Sequence, residues 1–542
     1  MLTPKLSCDG AQDAWWRGAA IYQIYPRSFA DSNGDGVGDL RGITQRLDHV
    51  ASLGVDAIWI SPFFTSPMAD YGYDVADYRD VDPSFGTLAD FDALVERAHA
   101  LGLKVTIDLV FAHTSDQHAW FQQSRASQDS ALSDWYVWQD PNPDGTPPNN
   151  WQSVFGGPAW TWDARRCQYY YHQFLKEQPQ LNLHNRAVQD ALLDVVRFWL
   201  ESGVDGFRFD ALNHSMFDPD FTDNPPASHD RPRTRPFDYQ DKVHSQNHPD
   251  VVGFIERIRQ TCDDYGVVFG VAEVGGDNSL SLMKAYTAGE TRLSSAYSFD
   301  FLYAPELTPQ RVQDALAPWQ GEPDEEGRNE GWPSWAFENH DAPRLVSRWA
   351  DEANRPAFAR LAMALLVALR GNVFLYQGQE LGLTQDDIPF HLLKDPEAIA
   401  NWPLTLSRDG VRTPMPWLAG TKHGGFTTGE PWLPLSAENI ARAVDAQEAD
   451  PQSLLHWTRQ MLVLRRAHPA LLRGSSEAVQ AHGHVLSFTR EASDEAIHCA
   501  FNLGPHTVHP PHPAGEILLS IHGGSVEALP PFSALFLRRK LG

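Results

Sequence analysis

The sequence predicts an α/β protein: a TIM (β/α)8 barrel with a subdomain inserted after the third strand and a small C-terminal β domain. Two observations carry this prediction. A helix–glycine–strand unit recurs along the chain, and about eight short apolar strands fit before residue 380. Strands that are apolar on both faces and alternate with amphipathic helices are typical of a parallel sheet covered by helices.

The repeating unit is an amphipathic helix, a glycine that ends it and an apolar strand. Gly54 precedes VDAIWISP, Gly102 precedes KVTIDLV, and Gly203 precedes VDGFRFD. The helical apolar positions are Leu40, Ile43, Leu47, Val50 and Leu53, then Leu88, Phe91, Leu94, Ala98 and Leu101, then Val188, Leu192, Val195 and Trp199. This pattern alone also fits an open, doubly wound sheet.

The number of strands favours the barrel over the open sheet. Besides the three strands of the repeating units, strands fit at residues 20–25, 267–273, 296–301, 334–339 and 372–376. About eight parallel strands are what a closed barrel requires. A last amphipathic helix is predicted near residues 451–472.

The chain divides into three predicted parts. Residues 1–108 and 176–475 form the barrel, residues 109–175 an inserted subdomain rich in Trp, Asn, Gly and Pro, and residues 476–542 a β domain. A second polar insertion, at about residues 213–246, follows the fourth strand. Long insertions after barrel strands lie over the C-terminal face of a barrel, where active sites are found.

Charge and cysteine content restrict the class of function. Lys and Arg number 43 against 70 Asp and Glu, a formal net charge of −27. Nucleic acid and anionic membranes are therefore not expected as partners, because both attract basic surfaces. We expect a cytoplasmic enzyme with a neutral substrate, monomeric or homodimeric, since no secretory pattern or membrane-spanning stretch is visible. Free thiols are expected at Cys8, Cys167, Cys262 and Cys499.

Polar side chains cluster where the predicted strands end. A single Asp at a strand end is commonly a turn or helix cap. Three carboxylates from three strands are harder to explain in that way, because buried charges cost several kcal/mol unless they are paired. The cluster predicts an active site made of His113, Arg208, Asp210, Glu273, His340 and Asp341.

Four short motifs occur in order along the predicted barrel: DLVFAH at 108–113, GFRFD at 206–210, AEVGG at 272–276 and ENHD at 338–341. With DYGYD, QPQLN and RTPMPW, they make the sequence similar to the α-amylase superfamily of glycoside hydrolases. Within it, the chain resembles the oligo-1,6-glucosidase and α-glucosidase branch. The resemblance implies a retaining, exo-acting α-glucosidase that cleaves terminal α-glucosidic bonds of small oligosaccharides and also transfers glucosyl groups.

The resemblance implies a role for each matching residue. Asp210 is the expected nucleophile, Glu273 the general acid/base, and Asp341 a third carboxylate that binds sugar hydroxyls. Arg208 and Asp210 face the same side of one strand, so we expect a lowered pKa for Asp210. We expect a raised pKa for Glu273 because other carboxylates lie near it. The expected sugar-binding residues are Asp70, Tyr73, His113, Arg208, His340 and Arg412, with Phe155 and Phe174 either lining the pocket or packing in the core.

The DSNGDGVGD stretch places oxygen-bearing side chains at alternate positions around glycines, like the first half of a calcium loop. A solvated turn is the alternative interpretation. The resemblance implies one structural Ca²⁺ or Mg²⁺ ion here. Its expected ligands are the side chains of Asp31, Asn33, Asp35 and Asp39 and the carbonyl of Val37.

Two other functions stay open at this point. A glucosyltransferase or sucrose-acting enzyme on the same scaffold differs only in whether water or a sugar captures the glucosyl group. A non-catalytic sugar-binding or transporter-associated relative of the superfamily loses the carboxylates that this chain keeps. Ala211 follows the expected nucleophile where α-1,6-specific relatives carry Val, which favours α-1,4 linkages such as that of maltose.

Overall fold

The computed structural model describes residues 14–228, 232–320 and 331–541. A barrel of parallel strands lies at its centre, with the neighbour order β6-β5-β4-β3-β2-β1-β8-β7. The strands are Ala20–Ile24 (β1), Ala57–Ile60 (β2), Lys104–Val110 (β3), Gly206–Asp210 (β4), Phe269–Val274 (β5), Ser295–Ser298 (β6), Ser334–Ala336 (β7) and Asn372–Tyr376 (β8).

The barrel closes between β6 and β7. Ala296 forms a parallel bridge with Pro333, and the hydroxyls of Ser295 and Ser334 lie 2.6 Å apart. A proline has no N–H to donate to a ladder, so hydroxyl contacts take over part of the pairing here. The predicted barrel is confirmed, and the open sheet is excluded.

The main helices lie outside the barrel. They are Leu40–Ser52 (α1), Leu88–Ala100 (α2), Arg186–Glu201 (α3), Val251–Asp263 (α4), Ser279–Thr287 (α5), Pro309–Leu316 (α6), Arg355–Ala368 (α7) and Leu454–Ala467 (α8). The first three bury the apolar stripes that the sequence predicts, apart from Leu88 and Leu101, which are only partly buried. In α1 the side chain of Asp39 accepts the N–H of Gly42 and so begins the helix.

The two insertions pack against each other. Within residues 109–175, the strands Trp138–Gln139, Trp160–Asp163 and Gln168–Tyr171 form an antiparallel sheet. The second insertion adds Phe217 to the aromatic cluster of this subdomain, which contains Trp151. Both insertions follow the C-terminal ends of neighbouring strands, β3 and β4, and together they wall one side of the barrel mouth.

Five antiparallel strands form the C-terminal sheet, in the order β9-β10-β11-β13-β12. They are Ser475–His482 (β9), Val485–Glu491 (β10), Glu495–Asn502 (β11), Glu516–Ile521 (β12) and Ser533–Lys540 (β13). Of the predicted free thiols, Cys167, Cys262 and Cys499 are free, and Cys8 lies outside the described residues. Within the described ranges, no helix is long and apolar enough to cross a membrane.

Two strands end earlier than the sequence predicts. β6 ends at Ser298 and β7 at Ala336. After β7, the side-chain oxygen of Asn339 accepts the N–H groups of Asp341 and Ala342, each at 2.9 Å. This Asx turn ends the extended backbone and directs the following residues into the barrel mouth.

Candidate active site

A buried arginine lies among three carboxylates at the C-terminal ends of β3, β4 and β5. Arg208 Nη1 is 2.6 Å from Asp210 Oδ1 and 2.8 Å from Asp108 Oδ1. Its Nη2 contacts Glu273 Oε1. Arg208 and Asp210 share one face of β4 because alternate strand residues point the same way, and Phe207 and Phe209 pack in the core.

The pKa values of the two expected catalytic carboxyls are both raised. Burial raises the pKa of Asp210 to about 7 and that of Glu273 to about 7, although Arg208 opposes both shifts. The expectation for Glu273 is confirmed. The expected lowering for Asp210 is wrong, because Arg208 is shared among carboxylates and the charges of Asp108 and Asp341 also raise the pKa of Asp210.

Glu273 is held by two further donors. The Tyr297 hydroxyl donates to Glu273 Oε1 at 2.9 Å, and the Ala211 N–H donates to Oε2 at 3.1 Å. Ala211 has a left-handed φ of 41°, which is uncommon for a residue other than glycine. This backbone turn directs the amide that follows the expected nucleophile at the expected acid/base.

Asp341 lies in a positively charged surrounding. Its Oδ1 accepts from Arg412 Nη2 at 2.7 Å and from Arg408 Nη1 at 3.3 Å, and its Oδ2 is 3.2 Å from His340 Nε2. Burial alone raises the pKa of Asp341, but these contacts hold it well below its ordinary value. The carboxylate is therefore ionised and able to accept hydrogen bonds from sugar hydroxyls.

Arg408 connects Asp341 to Asp70. Arg408 Nη2 lies 3.2 Å from Asp70 Oδ1, and the same guanidinium is fixed by Asp395 Oδ1 at 2.7 Å. Gln178 Nε2 donates to the other oxygen of Asp70 at 3.2 Å. Burial raises the pKa of Asp70 to about 6 in spite of Arg408. The result is a chain of alternating charges that ends at Arg412.

Tyr73 and the two histidines lie between these groups. The Tyr73 hydroxyl is 3.1 Å from Asp108 Oδ2 and 2.6 Å from His340 Nε2, and its ring stacks on His340. His113 Nε2 donates to the Tyr73 carbonyl at 3.0 Å, and its buried Nδ1 has no partner among the described residues. Burial lowers the pKa of His113 to about 4 and that of His340 to about 3, so both are neutral at pH 7.

Phe155 and Phe174 bring the inserted subdomain to the pocket. The Phe174 ring lies 5.1 Å from the His113 ring and 5.8 Å from that of Phe155. The guanidinium carbon of Arg408 is 5.0 Å from the centre of the Phe155 ring, within cation–π range. Phe174 therefore contacts the expected sugar-binding residue His113, and the buried Phe155 contacts Phe174 and Arg408.

Sequence reasoning missed several residues of this site. Asp108 and Tyr297 contact the catalytic cluster, and Arg408 and Asp395 form its second ionic layer. Asp108 opens the DLVFAH motif at the end of β3, so its position gave a usable signal. Arg408 and Asp395 lie in a long irregular segment after β8, where no helix or strand period indicates which side chains face the barrel.

The predicted metal loop is wound by successive Asx turns. Asp31 Oδ1 accepts the Asn33 N–H at 2.9 Å, Asn33 Oδ1 accepts the Asp35 N–H at 2.8 Å, and Asp35 Oδ1 accepts the Val37 N–H at 2.8 Å. Asp39 instead caps α1. Among the described residues, the three carboxylates of this loop are not gathered within 4.8 Å of one another. Each nevertheless keeps oxygen lone pairs that a hard cation could use.

Comparison with known proteins places the chain in a family. A family model described as the α-amylase catalytic domain matches residues 23–474. A probable α-glucosidase of Rhizobium meliloti (strain 1021) is 52% identical over 497 residues, 90% of this chain and 89% of the relative. An oligo-1,6-glucosidase of Heyndrickxia coagulans is 37% identical over 533 residues, 91% and 93% of the two chains.

The structure of an α-glucosyl transfer enzyme, XgtA, superposes with a TM-score of 0.92 at 47% identity, covering 97% of this chain and 99% of the other. The chain belongs to the α-amylase family of glycoside hydrolases. Within that family it is similar to enzymes named for the hydrolysis of α-glucosides.

Proposed function

We propose that the protein is a retaining, exo-acting α-glucosidase that releases glucose from small α-1,4-linked glucosides such as maltose. The observation that carries this proposal is the contact of Asp210 and Glu273, on neighbouring strands, with the two ends of one buried guanidinium. Retaining glycosidases use one ionised and one protonated carboxyl about 5–5.5 Å apart. A cation shared by two carboxyls holds them close to each other, as that mechanism requires.

The two carboxyls hold one proton between them near neutral pH. Both have a pKa of about 7, and two interacting acids release their protons in separate steps. In the reactive state Glu273 carries the proton and Asp210 the charge. Asp210 attacks the anomeric carbon, the bond to the leaving oxygen breaks, and that oxygen takes the electron pair together with the proton of Glu273.

The second half of the reaction restores the enzyme. Glu273, now ionised, takes a proton from water, and the water oxygen attacks the anomeric carbon of the glucosyl ester. The bond to Asp210 breaks and its carboxylate recovers the electron pair. Two displacements on the same carbon give α-glucose from an α-glucoside. A sugar hydroxyl in place of water gives transglucosylation.

The exo-acting part of the proposal rests on the chain of charges from Asp70 to Arg412. Arg408 connects Asp70 with Asp341, and Arg412 also contacts Asp341. We infer that this network closes the far end of the pocket around one glucose unit. His113 and His340, neutral and buried, complete the set of hydroxyl partners. A longer chain then enters only by its terminal residue.

A glucosyltransferase is the second candidate, because a solved transfer enzyme is 47% identical over nearly the whole chain. Product analysis with maltose, isomaltose and sucrose, each with wild type and Asp210→Asn, tests the two. We expect mainly glucose from maltose and at least about a thousandfold loss in the variant. Asp194→Asn, at an exposed ion pair on α3, is the control. Mainly transfer products, or activity confined to sucrose, would replace hydrolase by transferase.

We also propose that the loop of residues 31–39 binds one structural Ca²⁺ or Mg²⁺ through Asp31, Asn33, Asp35, Asp39 and the Val37 carbonyl. The loop carries carboxylate and amide side chains at alternate positions, and hard oxygens are the ligands that these ions prefer. A chelator should then lower the melting temperature, and added ion should restore it. Asp35→Asn should lose this response, whereas Asp144→Asn, in a comparable turn outside the loop, should keep it. An equal response in both variants contradicts the proposal.

A further inference from the structure

Two histidines and an aspartate lie together on the rim of the barrel. His184 precedes Asn185, which caps α3, and His248 and Asp250 precede α4. One candidate ligand atom of each residue lies within 4.8 Å of those of the other two. The two imidazole centres are 5.1 Å apart, and His248 Nδ1 is 3.7 Å from Asp250 Oδ2. The proposed catalytic reaction uses none of the three.

His184 is oriented for metal binding by its own hydrogen bond. Its Nε2 lies 2.8 Å from the carbonyl oxygen of Phe217, which can only accept. Nε2 therefore carries the proton, and Nδ1 keeps a free lone pair. A metal-binding histidine almost always donates its other ring N–H to a carbonyl or carboxylate, which fixes the ring and its tautomer.

Asp250 occupies a position where an aspartate usually caps a helix, but it does not do so. It is the residue before the first turn of α4, and within the described structure its side chain makes no capping hydrogen bond. The carboxylate is largely exposed and turned toward His248. Its oxygens thus remain available to an ion that the two imidazoles approach.

We propose that His184, His248 and Asp250 form a binding site for one transition-metal ion of the Zn²⁺ type, with water in the remaining positions. Two imidazoles and one carboxylate are a common ligand set for Zn²⁺ and suit Ni²⁺ and Cu²⁺ as well. Ca²⁺ and Mg²⁺ prefer oxygen ligands alone. The site is therefore distinct in its ion preference from the loop of residues 31–39.

The ion joins two segments of the chain directly, and a third through the hydrogen bond of His184 to Phe217. His184 ends the return from the inserted subdomain, Phe217 belongs to the second insertion, and His248 and Asp250 begin α4. Phe217 also packs against Trp151 of the inserted subdomain. A bound ion fastens the bases of both insertions to the barrel and stabilises the folded state by mass action.

Calorimetric titration of metal-free protein with Zn²⁺, in buffer with excess Ca²⁺ to fill any calcium-type site, tests this proposal. We expect one equivalent to bind to wild type. Loss of a residue that merely orients a ligand weakens binding by about 10–100-fold, so His184→Ala and His248→Ala should weaken it by at least about tenfold. His456→Ala, at a half-buried histidine beside Glu448, should bind as wild type does.

Two further readouts separate binding from misfolding. Visible absorption after Co²⁺ substitution should change in intensity in His184→Ala and stay unchanged in His456→Ala. The metal-free variants should melt at the wild-type temperature and hydrolyse the same α-glucoside, which shows that they are folded. Equal Zn²⁺ affinity in wild type and His184→Ala overturns the proposal, as does failure of folded wild type to bind. Neither result bears on the catalytic carboxylates.

Discussion

At the scale of single residues, the distribution of charge around Arg208 controls the chemistry. One buried guanidinium contacts Asp108, Asp210 and Glu273. Three carboxylates with one cation in a buried site hold a proton more tightly than a paired carboxylate does. In the proposed reaction, the retained proton is the one that Glu273 donates as general acid.

Asp108→Asn tests this charge argument. Asp108 contributes to the raised pKa of Asp210, and the amide removes that charge with little change in size. The pKa of Asp210 should fall, and the acidic limb of the kcat/KM profile should move to lower pH by about one unit. Asp194→Asn should leave the limb in place. A limb that stays or moves to higher pH in Asp108→Asn contradicts the argument.

Arg408→Met tests the ionic layer at the far end of the pocket. Burial raises the pKa of Asp70 to about 6 and Arg408 lowers it, so in wild type KM should rise as pH falls through about 6. Without Arg408 the pKa of Asp70 moves up, and the rise in KM should begin at higher pH. Measured from pH 5 to 8, an unchanged KM profile would show that Asp70 does not depend on Arg408. Arg442→Met, at an exposed ion pair with Glu438, is the control.

The sequence predicted which side chains cluster at the barrel mouth but not their protonation. Asp210, Glu273 and Asp341 lie at or shortly after the C-terminal ends of strands. The pattern of apolar residues along the sequence can locate those strands. The pKa of Asp210 depends first on its burial and then on the carboxylates that surround Arg208, and both are properties of several strands together. Local spacing places Arg208 beside Asp210. It gives no information on Asp108, which lies on the neighbouring strand β3.

At the scale of elements, the loop of residues 31–39 packs closely against a segment far away in the chain. Gly36 has a φ of +92°, and a Cβ there would lie 1.9 Å from the carbonyl oxygen of Glu430. Asp31 also accepts a hydrogen bond from Thr427. Gly36 is therefore required by this contact as well as by the turn.

Gly36→Ala measures that contact. Gly266 has a similar φ of +99° with no atom within 4 Å of a built Cβ, so Gly266→Ala carries only the backbone strain, about 1 kcal/mol. Gly36→Ala adds the overlap with a backbone carbonyl and should reduce the free energy of unfolding by about 3 kcal/mol. Urea unfolding of both variants provides the comparison. Equal losses would show that the segment of residues 427–432 moves aside freely.

Helices with a regular spacing of apolar residues were predicted well, and irregular segments were not. α1, α2 and α3 bury most of the apolar positions that the sequence indicates. The strands β6 and β7 are shorter than predicted because a turn, made at β7 by Asn339, replaces extended backbone. Such turns depend on one side chain at one position, which a pattern of apolar residues does not reveal.

At the scale of the whole molecule, a buried arginine joins the C-terminal sheet to the barrel. Arg490 on β10 donates to the carbonyl of Ala368 at the end of α7 at 2.7 Å and to those of Gly474 and Ser475 at 2.8 and 3.0 Å. Arg465 on α8 donates to neighbouring carbonyls, among them that of Leu369 at 3.1 Å. Cations at a helix C-terminus interact favourably with its free carbonyls.

Arg490→Met should therefore loosen the C-terminal sheet. The variant leaves buried carbonyls without donors, at about 1–3 kcal/mol for each one that water cannot reach. We expect a loss of about 3 kcal/mol in the free energy of unfolding. Thermal unfolding monitored by circular dichroism measures this loss. Arg539→Met, at an exposed position of β13, should change it by less than about 0.5 kcal/mol. Similar losses in both variants contradict the joining role.

Time-resolved NMR of the hydrolysis of an aryl α-glucoside by wild type tests the central claim most directly, because the phenol that leaves has no anomeric centre of its own. The anomeric proton signals distinguish α-glucose from β-glucose before mutarotation equilibrates them. Two displacements, through Asp210 and then water, predict that the newly released reducing end appears first as α-glucose and that β-glucose accumulates only later. Early appearance of β-glucose would mean a single displacement by water and would contradict the role of Asp210 as nucleophile.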